Sequence, residues 1–192
     1  MDSIDFEPAT RTAAAVVAGI GDDQLDLPTP CPGLTVADLL FHFTGLSLAF
    51  TLAATKEAIP GDHDAAFDGD RLDPGWRTEI PAALDRLAAA WAEPSAYDGT
   101  TMAGPIEMPA PIAALVALNE VVVHGGDLAR ATGQAYDPDD AAALACLEFA
   151  SGFEPPPDAG AGPFGPPVPV PEDAPLMDRL AGATGRDPRW PH

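Results

Sequence analysis

Positive charge is what this chain has least of. Nine lysines and arginines face 30 aspartates and glutamates in 192 residues, a formal net charge of −21, and only one of the nine, Lys56, is a lysine. Such a surface repels a phosphate backbone, which excludes DNA or RNA as an expected partner. Cysteine is scarce too. Cys31 and Cys146 form no C-x-x-C pair, so neither a disulfide framework nor a dithiol redox motif is expected, and a reducing, cytoplasmic setting fits. No charged leader with an apolar core opens the sequence, and no uninterrupted apolar run reaches the roughly 18 residues of a membrane span. Neither export nor a membrane partner is expected. Alternating strand patterns of useful length are missing as well, which leaves an all-α core. The bias toward alanine, glycine and proline suits a GC-rich bacterial genome, while the acidic, lysine-poor surface also suits high salt.

What is present reads as helices. Residues 8–19 form the first, closed by Gly21. Thr35 and Asp38 resemble a capping box that opens a second helix through "VADLLFHFTGLSLAFTLAAT". The acidic stretch "GDHDAAFDGDRLDPG" reads as a loop with a solvated His63. A third helix covers about residues 75–92, where Pro81 either kinks it or marks its start. The fourth, "IAALVALNEVVVHGGDLARAT", is stopped by Gly133. Asp137 followed by Pro138 reads as the cap of a fifth, ending near residue 150. Four main helices predict a bundle over residues 1–152. Residues 153–192 are a proline-rich extension with a short helix near 176–183, expected to pack on the bundle as a strap because Phe164, Val168 and Val170 give it apolar anchors.

One helix carries an oddity. Within "LNEVVVHGGDLARATG", Glu120 and His124 stand four residues apart and share a face, and two glycines follow at a cost of about 1 kcal/mol each in helix propensity. Carboxylate and imidazole are both ligands for first-row divalent metals, yet two ligands make a weak site. His42 is the candidate third. It lies between Leu40, Phe41 and Phe43 and must face solvent, bond a carbonyl or bind a metal, because burying it unpaired is costly. Asp127 would either orient His124 or pair with Arg130. Cys146 reads as core, Cys31 as a small buried residue at a helix entry that could reach a metal only if its loop folds over the bundle mouth, and Asp38 as part of the cap, with support of a metal ligand as the alternative.

Together, "PTPCPGLTVADLLFHFTG", "NEVVVHGGDLARATG" and "FGPPVPVPEDAPLMDRLAGATGRDPRW" resemble the DinB-like metal-binding proteins of the mycothiol-dependent maleylpyruvate isomerase type, across nearly the whole chain. The resemblance is to a single-domain branch. It implies an antiparallel four-helix bundle holding one divalent ion on His42, Glu120 and His124, with zinc first and nickel or iron as alternatives. It also implies a metal-dependent enzyme that activates a low-molecular-weight thiol of the mycothiol kind for S-transfer or isomerisation. Small-molecule thiols or electrophiles are then the partners, with a homodimer as the further option. A non-enzymatic metal-binding or sensing protein, or a metal-dependent hydrolase, are the alternatives. Relatives commonly carry tryptophan where this chain has Leu34 and Gly126, and the isomerases proper have a second domain.

Overall fold

The computed structural model describes residues 3–58, 67–153 and 164–191. Four longer helices, α1 (Glu7–Gly19), α2 (Val36–Thr55), α3 (Trp76–Trp91) and α4 (Ala110–Thr132), surround the core. Helix α1 packs on α3 and α4, and α2 on the same two. Between α3 and α4 lies an antiparallel hairpin of β1 (Thr100–Ala103) and β2 (Ile106–Pro109). Helix α5 (Asp140–Gly152) packs on α4, and α6 (Leu176–Ala183) packs on α5.

Local chemistry accounts for the boundaries that position the site. Thr35 caps α2 by accepting from Asp38 N–H, while the Asp38 carboxylate accepts from Thr35 N–H at 2.8 Å and from Gly69 N–H at 2.8 Å. Asp38 is thus wholly engaged in the cap and in tethering the segment after residue 66. Hydrogen bonding from Thr35, opposed by burial, holds its carboxyl below the usual range. At the other end of α4, Gly133 takes a left-handed φ of 69°, which a side chain would strain. The core is built from side chains such as Phe43, Leu39, Leu40, Ile80, Leu84 and Leu118, all fully buried. Each contributes roughly 1.5–3 kcal/mol from water exclusion.

Several expectations need correction. Asp139, not Asp137, caps α5, because its carboxylate accepts from both Ala141 and Ala142 N–H; the helix starts at Asp140, two residues beyond Pro138. The β1–β2 hairpin was not expected. Its four-residue strands are too short for alternation to register, and Thr101 is their sole buried residue. Pro81 lies inside α3 and does not begin it. Two helices, α2 and α4, do reach membrane-spanning length and mean hydropathy, 1.5 and 1.4, contrary to the expectation from uninterrupted runs. Isolated polar residues such as His42 and Glu120 interrupt the runs without lowering the average enough. In α4 72% of that window is buried inside the protein, the pattern of a central core helix. His63 lies outside the described residues.

The C-terminal segment has contacts from residue 164 onward. Phe164 meets Phe149 and Phe153 of α5 and the loop after it, with ring centroids 6.2 and 5.6 Å apart. Val168 N–H donates to Gly182 O at 2.9 Å. Gly165 and Gly185 approach so closely that a Cβ on Gly185 would lie 2.7 Å from the Gly165 backbone.

Candidate metal centre

His42 projects from α2, and Glu120 and His124 from successive turns of α4. Although 78 residues separate His42 from Glu120, the Glu120 Oε2 lies 3.4 Å from His42 Nε2 and 3.2 Å from His124 Nε2. One ligand atom from each of the three lies within 4.8 Å of the others. Side-chain exposures of 12%, 19% and 9% put the group at the floor of a cleft, shielded from bulk water. The cleft has a volume of about 600 Å³ and includes Cys31, Phe50, Phe67, Phe164 and Arg186 in its walls. Phe67 stacks on the His42 ring at 4.2 Å and restricts its rotation.

Behind the three lies a second layer. His124 Nδ1 lies 3.0 Å from Asp127 Oδ2. A carboxylate only accepts, so Nδ1 carries a proton, and Nε2, 3.2 Å from the Glu120 carboxylate, can offer its lone pair to a metal that displaces the proton it shares there. This carboxylate–histidine pairing is the support that metal-ligating imidazoles usually have. Asp127 in turn receives Arg186 Nη2–H at 3.0 Å and the Cys31 thiol at 3.2 Å. Burial pushes the Asp127 carboxyl up, but His124 and Arg186 outweigh it and hold it below its ordinary value. For Glu120, burial is likewise overcome by hydrogen bonds and charge from His124 and His42, leaving the carboxyl far below the carboxylate range. Burial pushes the His124 imidazole down; Asp127, Cys31 and Glu120 raise it well above its usual value.

The donor set fits a divalent ion. Two imidazole nitrogens and one carboxylate oxygen converge, and where no metal shares the carboxylate, protons do. Cys31, His124 and Asp127 form a second cluster of ligand-type atoms. Arg186, 3.3 Å from Cys31 Sγ as well as bonded to Asp127, already supplies the positive charge there.

The three residues singled out from the sequence are therefore brought together. Asp127 orients His124 as one reading expected, but its cation is Arg186, since Arg130 is taken by Asp178 at 2.6 Å and Pro188 O at 2.7 Å. Cys31 is buried, as expected of a small residue at a helix entry, and its loop also brings it into the wall of the cleft. Arg186 was missed altogether. The one available signal was its scarcity, an arginine in a chain with only nine lysines and arginines. The double glycine in α4 serves close packing. A Cβ on Gly125 would lie 2.6 Å from the Tyr136 hydroxyl, whereas one on Gly126 would make ordinary contact with Tyr136 and Met177, away from the cleft.

Comparison with known proteins agrees with this arrangement. Uncharacterised proteins from two strains of Mycobacterium tuberculosis are each 30% identical over 182 residues, covering 92% of this chain and 92% of theirs. The crystal structure of the mycothiol-dependent maleylpyruvate isomerase superposes with a TM-score of 0.58 at 15% identity, covering 76% of this chain and 66% of the enzyme. A histidine-to-alanine mutant of that enzyme gives 0.59 at 16% identity over the same shares. The fold is shared, and this chain spans about two thirds (66%) of the enzyme's length. The family described as the mycothiol maleylpyruvate isomerase N-terminal domain matches residues 6–129. The chain belongs to that family.

Proposed function

We propose that this protein holds one divalent ion, zinc in the first instance, on His42, Glu120 and His124, and activates a low-molecular-weight thiol for S-transfer or isomerisation. The observation that carries this reading is the convergence of the three ligand atoms within 4.8 Å at the floor of a cleft of about 600 Å³. Three protein ligands leave a coordination position for a substrate, as catalytic zinc sites do. When bound, the ion would stabilise a coordinated thiol as its thiolate at neutral pH. Asp127 fixes the tautomer of His124, Arg186 holds Asp127, and the apolar walls of the cleft exclude competing water. The frame is read as an antiparallel four-helix bundle over residues 1–152, with residues 153–192 packed on it as a strap. Free Cys31 and Cys146 suit a reducing cytoplasm. Membership in a family whose solved relative is mycothiol-dependent supports the choice of a thiol over other ligands.

The test is elemental analysis of untagged protein, followed by cobalt substitution and titration with low-molecular-weight thiols including mycothiol. One ion per chain, lost in His42→Ala, and a thiol-induced sulfur-to-cobalt absorption band are expected. Full occupancy in His42→Ala removes the ligand assignment. Metal bound with a spectrum indifferent to every thiol leaves the non-enzymatic metal-binding reading.

A further inference from the structure

The walls of the cleft say more about what enters it than the floor does. Among the described residues, Arg186 is the only lysine or arginine in the lining. Its guanidinium is committed: Nε and Nη2 donate to Asp127, Nη2 also to Cys31 Sγ, and Nη1 to Thr184 O at 2.8 Å. The side chain is only 12% exposed. A carboxylate arriving in the cleft would have to take Arg186 from Asp127, a buried aspartate to which it is bonded at 3.0 Å. Asn119 and Thr184, the neutral polar side chains of the lining, donate to the Cys146 and Leu180 carbonyls. Leu34, Leu46, Phe50, Phe67, Val123 and Phe164 make the rest an apolar surface.

Sequence closes the remaining route. The whole chain carries −21, so its field lowers the local concentration of anions at the mouth. At the floor, the two charges of a divalent ion held by His42, Glu120 and His124 would be matched by the Glu120 carboxylate and one thiolate. A dicarboxylate would meet no unspent positive charge.

We infer that the second substrate of this site is an uncharged, apolar molecule with an aryl or alkyl body, seated against Leu46, Phe50, Phe67 and Phe164, and not a di-anionic carboxylic acid. The inference rests on the thiol-activating reading of the same site. Selecting a charged substrate takes a cation free to bind it, and here Arg186 is already held by Asp127, Cys31 and Thr184.

Dimethyl phthalate and phthalate share a ring and differ in two charges, so they isolate the effect. Calorimetric titration of the metal-free, full-length protein should give at least tenfold tighter binding of the diester. Ala103→Arg, a change on the partly exposed hairpin edge of the cleft, supplies the missing cation and should raise phthalate affinity at least fivefold. Phthalate binding as tightly as the diester, no binding of the diester, or an unchanged phthalate affinity in Ala103→Arg each overturns the inference. Zinc titration of the same metal-free protein separates the two readings. A protein that takes one zinc and prefers phthalate overturns the substrate class alone; one that takes no zinc overturns both.

Discussion

Asp127→Asn tests the support of the site most directly, because the carboxylate joins His124, Arg186 and Cys31 in one buried cluster. The asparagine preserves shape and one acceptor oxygen, so His124 Nδ1–H keeps a partner, while Arg186 loses its charge partner in a place only 12% exposed. Breaking a buried ion pair by removing one member costs about 3–5 kcal/mol, and the retained amide oxygen puts this variant near the lower end. Metal affinity should fall as well, by about 10–100-fold, the usual effect of losing a carboxylate behind a ligating histidine. At zinc 100 times the wild-type Kd, bound metal stabilises the native protein by about 2.7 kcal/mol. In the variant the same concentration would give between about 1.4 and 0.4 kcal/mol by the same relation. Urea denaturation with and without zinc, read by helical circular dichroism, separates the metal-free loss from the metal increment. A variant within about 1 kcal/mol of wild type without metal, and with the full increment restored by zinc, would refute the view that Asp127 matters through its charge.

Chelation should lower the melting temperature yet leave the helical signal intact at 25 °C, because the apolar core is far larger than that of a metal-dependent finger; complete unfolding on chelation would contradict this. The pH dependence of the metal-free protein follows from the direction of the shifts. His124 is raised in the folded state, so its contribution is complete below about pH 6.5, declines above it, and is gone once pH passes the raised value. Glu120 and Asp127 are depressed, so theirs is complete above about pH 4 and is lost as pH falls through the lowered values. Denaturation midpoints of the metal-free protein should therefore decline from pH 6.5 to 9, while zinc affinity rises over the same interval as the metal displaces the His124 proton; a flat metal-free profile would count against the assignment. The two adjacent glycines should respond in opposite directions. Gly125→Ala meets the Tyr136 hydroxyl at 2.6 Å and should destabilise by about 1–3 kcal/mol, whereas Gly126→Ala meets nothing closer than 3.5 Å and should be neutral or stabilising by up to about 1 kcal/mol; equal denaturation midpoints for the two would refute the packing account.

The parts of this protein that were legible in the sequence are those set by local pattern. The Thr35–Asp38 cap, the Gly133 stop and the extent of α2 follow from interactions within a few residues, and each stands as expected. His42, Glu120 and His124 could be picked out because a polar residue inside an apolar helix needs a reason, and four-residue spacing places two of them on one face. Arg186 had no such local mark. It reaches Asp127 across 59 residues and through a loop whose course depends on the close approach of Gly165 and Gly185. Asp139 displaced Asp137 as the α5 cap because two nearby aspartates offer the same chemistry and only backbone geometry selects between them. Gly126 follows His124 by two residues, yet the fold turns that side of α4 toward Tyr136 and Met177.

The ion pair between Asp127 and Arg186 also sets an order of events during folding. Ligands on α2 and α4 can meet once those helices pack, whereas the guanidinium arrives on a chain 59 residues further along. Closing so long a loop is slow compared with forming local helix contacts, and its entropy must be met before the pair rewards it. Until then Asp127 keeps its hydration and His124 has a freely rotating neighbour. In the folded protein Arg186 takes the place of that water, leaving Asp127 only 4% exposed. Maturation of the site is thereby tied to arrival of the last helix and the turn behind it, so that a refolding experiment would see helical signal recover before high-affinity zinc uptake.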